Sequence, residues 1–287
     1  MVRRFLQSLI RYRWEIGMTL PLLCYLFAFT LVPLLASLKM SITAPEQGGF
    51  PSGQNFRYLL SHGQFDDALF NTIAITLLGL CLQLVVGMIL ALMMHRTFWG
   101  RGLIRTIVLI PMGVPTIVSG VIFTYVFDIG GYLNELLFRL GEISHPIDWQ
   151  AGGLRTILSV VFADMWKVTP LVTLILLAGL ESIPEEVYEA GAVDGVTPLS
   201  RFFFLTLPLL KPSITMAVIL RAIDAFRIFE IPLILTGKTT PVLATFAYFE
   251  YYEYNNPYTS AAAATLLTAI ILGFILLYLF LVERKES

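Results

Sequence analysis

The sequence predicts an all-α polytopic membrane protein with six transmembrane helices, and three observations predict it. Of its 287 residues 57% are hydrophobic and 14% charged, where a soluble domain carries about a quarter of its residues charged. Apolar windows near 16–38, 69–94, 106–127, 156–180, 214–235 and 261–282 each reach the about 20 residues that cross a bilayer's hydrocarbon core. The third observation is the placement of lysine and arginine around those windows, taken up below.

Residues 1–15 read as a cytoplasmic N-terminal segment and 16–287 as the transmembrane domain. Arg3-Arg4-Phe5-Leu6 faintly resembles a twin-arginine signal. However, Arg11 and Arg13 follow it, the apolar run is too long for a signal core, and no small-x-small cleavage site ends it. The first window therefore reads as a retained span. In the second, Gly87 and Ala91 form a small-x-x-x-small pair that lets a neighbouring helix approach closely. The third holds Pro111, Gly113, Pro115 and Gly120, which predict a kink and a loosened hydrogen-bond ladder.

The fourth window carries Asp164 and Lys167, and the fifth Arg221, Asp224, Arg227 and Glu230. A charge near the bilayer centre costs a few kcal/mol on insertion scales, so each must face protein or water. Opposite signs recur three residues apart, the spacing of neighbours on a helix face. Two readings fit: structural ion pairs, or a polar lining for a path across the membrane. Steps of three drift backwards by roughly 60° around a helix. Arg221 and Glu230 are then expected on opposite sides, leaving Asp224 and Arg227 as the lining, with Glu230 next.

Between the fourth and fifth windows lies ESIPEEVYEAGAVDGVTPLSRFFFLTLPLLKP, residues 181–212. Ser182 and Glu185 have capping-box spacing with Pro184 in the first turn, and Gly195 stops that helix. Thr197 and Pro198 start a second helix, which Pro208 and Pro212 break. The result is an elbow of two short helices, acidic on the first (Glu185, Glu186, Glu189, Asp194) and aromatic on the second (Phe202, Phe203, Phe204). Such an elbow is too polar for lipid and has to pack on protein.

With the N-terminus inside, the cytoplasmic side holds Arg3, Arg4, Arg11, Arg13, Arg96, Arg101, Arg105, Arg201, Lys211, Arg284 and Lys285. The outer side holds only Lys39, Arg57, Arg139, Arg155 and Lys238. This asymmetry fits the positive-inside rule with an even number of spans and puts the elbow in the cytoplasm. The outer loops 39–68, 128–155 and 236–259 are long, and the last is rich in tyrosine, as an interfacial aromatic belt or a docking surface requires.

Several chemistries are excluded or unsupported. The net charge of -1 and the lack of a long basic cluster argue against nucleic acid. Cys24 and Cys81 lie inside apolar windows and read as small buried hydrophobes. Gly237-Lys238-Thr239 looks like the end of a phosphate-binding loop, but Pro232 occupies the place of its first glycine and no strand precedes it. His62, His95 and His145 sit at window ends or in loops, which suggests neither a proton relay nor a metal cluster. No nucleophile–base pair is visible, so any ATP hydrolysis belongs to another chain.

Glu189-Ala190, Gly195 and Leu205-x-Leu207-Pro208 resemble the EAA motif of permease subunits of ATP-binding-cassette (ABC) importers. Gly191 departs from it, standing where alanine is usual. Ile183-Pro184, Asp194-Gly195 and Leu207-Pro208-Leu209-Leu210-Lys211-Pro212 look like the sugar-importer branch. Phe226-Arg227-x-Phe229-Glu230 with Leu235-Thr236-Gly237 resembles the fifth-span signature of its maltose-type and glycerol-phosphate-type members, specifically the first of the usual pair. Lys238-Thr239-Thr240 replaces that family's glycine run before Pro241. Asn71-Thr72, Pro111, Pro115, Gly131 and Asn134 match as well, so the likeness spans nearly the whole chain.

The resemblance implies the type I ABC importer permease fold, with the elbow as a coupling helix docked in a groove of a cytoplasmic ATPase. Glu185, Glu189, Ala190, Gly191, Asp194, Gly195, Leu207 and Pro208 would form that coupling site, with Glu189 as the acidic contact. Asn71, Asp224, Arg227 and Glu230 would line the substrate path. The implied partners are a second permease subunit, two ATPase subunits carrying ATP and Mg, an extracytoplasmic solute-binding protein, a sugar and membrane lipid. Two alternatives remain open at this point. One is a proton-driven transporter using Asp164, Lys167, Asp224 and Glu230 as its relay; the other is a structural membrane subunit without a path.

Overall fold

Residues 12–45 and 48–283 are described by a computed structural model and build helices and connecting turns, with no strand among them. The expected segment 1–15 and the charges Arg3, Arg4, Arg11, Arg284 and Lys285 fall largely or wholly outside the described residues. In chain order the helices are α1 (Arg13–Leu26), α2 (Val32–Ser41), α3 (Gln54–Ser61), α4 (Gly63–His95), α5 (Arg101–Gly113), α6 (Thr116–Phe127), α7 (Tyr132–Arg139) and α8 (Gly153–Glu181). They continue with α9 (Glu185–Val193), α10 (Pro198–Arg201), α11 (Leu207–Leu209), α12 (Lys211–Phe226), α13 (Glu230–Thr236), α14 (Leu243–Tyr252) and α15 (Pro257–Glu283).

Among the described residues five stretches are long and apolar enough to cross a membrane: Gly17–Ser41, Gly63–His95, Thr116–Arg139, Gly153–Glu181 and Pro257–Val282. A sixth is added if Pro198–Leu209 and Lys211–Phe226, bent by 65° against each other, count as one span. Two expected spans are broken. The third divides at Val114, which is extended ahead of Pro115, because a residue before proline is pushed out of the helical region. The fifth, expected over 214–235, stops at Phe226 and restarts at Glu230. Pro232 has no N–H for the carbonyl four residues back, so an unbroken helix through Ile228 would leave that carbonyl without a partner.

Two widened π-helical turns, Phe27–Leu31 and Phe202–Thr206, each end two residues before a proline, Pro33 and Pro208. In both cases the proline ring would meet the carbonyl four residues back, and a wider turn moves that carbonyl aside.

The chain divides into two compact units. The first joins the residues up to Ser61 with Ala247–Leu266. In it Asn55 donates its amide to the carbonyls of Ser41 (2.9 Å) and Thr43 (2.8 Å), capping the end of α2. The stretch Gly17–Ser41 has hardly a buried side chain, which suits a helix bathed in lipid. Cys24 lies exposed there and Cys81 is exposed on α4, which corrects the expectation that both are buried. A thiol on the lipid side of an apolar helix keeps the same apolar surroundings.

The second unit, His62–Phe246 with Leu267–Ser287, is built on the packing of α4 against α8. Lipid tails are as apolar as leucine, so close backbone approach rather than apolar burial holds such helices together. The glycine at 87 supplies it: a Cβ there would come 2.8 Å from Val172 Cγ1, and Ala91 one turn on is fully buried. Gly179 likewise admits Ser213 and Leu210 of the α12 side. Two apolar clusters result. One gathers Ile75, Val160 and Ile231, and the other Ala91, Val172, Leu176 and Ala217.

Candidate functional site

The elbow forms from α9 and α10, and its turn is closed by the backbone. Gly195 has φ +72°, its N–H bonds the carbonyl of Ala192 (3.1 Å) and that of Val196 bonds Gly191 (3.0 Å). This is the paired pattern of a Schellman cap, which needs a residue free of Cβ strain at the left-handed position. Thr197 Oγ1 accepts the N–H of Ser200 and Pro198 opens α10, as expected.

The capping box does not form. Ser182 ends α8 instead, donating to the carbonyl of Gly179 at 2.7 Å, and Pro184 stands at the N-cap without a side-chain cap. Glu185 and Glu186 in the first turn still favour the positive end of the helix dipole. Nor do Pro208 and Pro212 break the second helix at their own positions. The bend falls at Leu210 between them, and Pro212 sits in the first turn of α12.

Glu185, Glu189, Ala190, Asp194, Gly195 and Pro208 are exposed and Leu207 is half-buried. Val193 at the end of the acidic helix is 89% exposed and Phe204 in the aromatic turn 76%, so each part of the elbow carries an uncovered apolar side chain. Gly191 differs from the other expected coupling residues. It is buried, and a Cβ on it would lie 2.8 Å from Leu205 Cδ1, so the close approach it allows is to its own elbow. On the elbow's inner side a hollow of about 1020 Å³ is lined by Glu181, Glu185, Tyr188, Arg201 and Arg96 among others. Glu181 accepts from Arg101 (3.1 Å) and Arg105 (2.8 Å), while Arg101 Nε donates to the Met94 carbonyl (2.6 Å). The base of the elbow is thereby tied to α5 and to the end of α4.

In the same unit a cavity of about 520 Å³ brings together Asp164, Lys167, Arg221, Asp224, Arg227 and Glu230, with Met112, Thr116 and Phe229. This overturns the expectation that Arg221 and Glu230 face opposite sides. That expectation assumed one helix, and the break after Phe226 turns Glu230 back onto the wall that Asp224 and Arg227 share.

The pairing also differs from the three-residue pattern. Asp164 pairs across helices with Arg221 (2.9 Å) and not with Lys167, whose Nζ donates to the Val114 carbonyl at 2.6 Å. Lys167 thus satisfies a carbonyl at the break of the third span. Arg221–Asp224 (3.8 Å) and Asp224–Arg227 (3.4 Å) do pair along the chain. Asn71 does not line this cavity. It is buried and donates to the Pro241 carbonyl at 2.9 Å, while neighbouring Thr72 accepts the N–H of Leu243 at 2.8 Å.

Gln83 escaped the sequence reading. It is fully buried, donates to Asp164 Oδ2 (2.7 Å) and accepts from Arg221 Nε (2.9 Å). An amide in the middle of an apolar window is the signal that could have found it, since such side chains hydrogen-bond between helices. Asn134 is another buried hub: it donates to the carbonyls of Ile129 and Ile147 and accepts from Trp149 Nε1. Among the described residues no three His, Cys, Asp or Glu side chains converge as a metal site.

Residues 83–285 match the family model described as "Binding-protein-dependent transport system inner membrane component". The trehalose/maltose transport system permease protein MalF of Thermococcus litoralis is 35% identical over 286 residues, covering 96% of each chain. The trehalose transport system permease protein SugA of Mycobacterium tuberculosis is 35% identical over 84% of this chain and 78% of its own length. The sulfoquinovosyl glycerol transport system permease protein SmoG of Agrobacterium fabrum is 31% identical over 86% and 82%. Among solved structures, a chain of a bacterial ABC transporter that imports the polysaccharide alginate superposes with a TM-score of 0.87 at 21% identity, over 99% of this chain and 100% of that one. The fold is that of a type I ABC importer permease, and the family match together with the permease relatives favours the ATP-driven reading of the chain over the proton-driven one. Matched by that family model over most of its length, this helical membrane chain belongs to the inner-membrane components of binding-protein-dependent transport systems.

Proposed function

We propose that this chain forms half of the membrane path of an ATP-driven, binding-protein-dependent sugar importer. A second, similar permease subunit completes the path. Two ATPase subunits, carrying ATP and Mg, bind the two elbows, and an extracytoplasmic solute-binding protein delivers the sugar. The chain itself is the permease and not an enzyme. It lies in the cytoplasmic membrane of a prokaryotic cell with both termini inside, residues 1–15 forming the cytoplasmic segment.

The observation that carries this reading is the continuity of elbow and cavity. The exposed acidic α9 leads through the Gly195 turn to α10, and the same helical run passes Leu210 into α12, which ends in the cavity wall at Asp224. A push on the elbow is therefore delivered to the wall as a rigid-body movement, the kind of motion by which packed helices alternate between two arrangements. The cavity offers donors and acceptors in equal number of charge, three cations and three carboxylates, and suits a neutral, hydroxyl-rich ligand better than an ion. The relatives named for trehalose, maltose and sulfoquinovosyl glycerol support the sugar class.

The test is ATP-dependent uptake of trehalose, maltose and a sugar-free control by the complex co-expressed with its neighbouring subunits. Glu189→Lys should leave ATP hydrolysis running and abolish accumulation, with the complex present in the membrane. Undiminished uptake in that variant rules the elbow out as the coupling element.

A further inference from the structure

Asp224 stands between two guanidinium groups, Oδ2 at 3.8 Å from Arg221 Nη1 and Oδ1 at 3.4 Å from Arg227 Nη2. Both separations exceed the about 2.7–2.9 Å of a tight charge-assisted bond. The carboxylate is therefore oriented by charge on both sides while its lone pairs stay available to a ligand. The two arginines are not equivalent. Arg227 is exposed, whereas Arg221 is 2% exposed and held on its other edges: Nε donates to Gln83 Oε1 and Nη2 to Asp164 Oδ2, each at 2.9 Å. Gln83 Nε2 closes the ring on the same Asp164 Oδ2 at 2.7 Å. Gln83 lies on α4, Asp164 on α8 and Arg221 on α12, and on α4 and α8 the residue falls between the two apolar clusters. Only a planar fork with several fixed N–H directions serves an amide, a carboxylate and a further carboxylate at once.

We infer that Arg221 is a positioning residue: locked by Gln83 and Asp164, it fixes Asp224 so that this carboxylate accepts hydroxyl groups of the transported solute. Specificity at the cavity wall then depends on Gln83, which is not among the residues lining the cavity. This deepens the proposed importer reading and rests on it.

The test uses the full complex in proteoliposomes, with trehalose and maltose as probes and KM and Vmax of ATP-dependent uptake as readouts. Loss of a hydrogen bond to a charged group predicts that Asp224→Asn raises KM by about tenfold or more. Gln83→Met and Arg221→Lys are expected to raise KM severalfold with Vmax nearly kept. Each double variant with Asp224→Asn should be no worse than Asp224→Asn alone, since all act through one contact. The swap of Gln83→Glu with Asp164→Asn returns an amide and a carboxylate to the ring and should restore KM. Unchanged KM in the single variants, effects that multiply in the doubles, or loss of assembled complex in Gln83→Met each overturn the inference. Import of neither sugar by the unaltered complex instead overturns the sugar-importer reading, and this inference with it.

Discussion

Lys167 shows how a membrane charge finds a use that residue spacing does not reveal. Its Nζ bonds the Val114 carbonyl at the break of the third span, so Lys167→Met leaves that carbonyl without its charged donor. The expected cost is about 1–3 kcal/mol, read as a lowered unfolding midpoint of the detergent-solubilised complex. Gly191 gives the opposite forecast. Its added Cβ would meet the free end of the Leu205 side chain, which has rotamers to yield. Gly191→Ala should therefore transport within about twofold of the parent, and Gly191→Val, with two further methyl groups on Leu205, should not. The acidic elbow and the membrane charges were legible one residue at a time, because charge in an apolar window is conspicuous. Their partners were not, because Gln83, Asp164 and Arg221 lie 81 and 57 residues apart and only packing brings them together.

At the scale of elements, the prolines of the third span and of the elbow were read correctly as interruptions but not as to where the chain turns, and Pro232 was not read as an interruption at all. Pro111, Pro115, Pro208, Pro212 and Pro232 all sit near breaks, yet the breaks fall at Val114, Leu210 and Arg227. Val114 turns because the proline after it disturbs its conformation, and the break after Phe226 contains Ile228, whose carbonyl Pro232 leaves without a partner. The break after Phe226 mattered most, since treating 214–235 as one helix put Glu230 on the wrong side. Gly195 could be placed because a left-handed cap has few other occupants. Gly195→Ala forces Cβ into that conformation at a cost of roughly 1–2 kcal/mol. Uptake should fall severalfold while immunoblots of membranes show unchanged insertion, and Gly195→Pro, which cannot adopt positive φ, should abolish uptake. An unaltered rate in Gly195→Pro would mean that the turn is not needed for coupling.

For the whole molecule, the six apolar windows and the bias of lysine and arginine foretold a helical membrane chain, and likeness of motifs narrowed it to one family. Sidedness is open to a direct check. In a Cys24→Ser, Cys81→Ser background, Val193→Cys should react with a membrane-impermeant thiol reagent in inverted vesicles and stay unlabelled in spheroplasts. The ring of Gln83, Asp164 and Arg221 has one more consequence. By riveting α4, α8 and α12 together at mid-length, it turns these three helices into a chassis that does not flex. Slow amide exchange is then expected along all three beside the ring, and whatever gives way during a transport cycle has to be the joints at Val114 and Arg227, which lie off the run from the elbow to the ring.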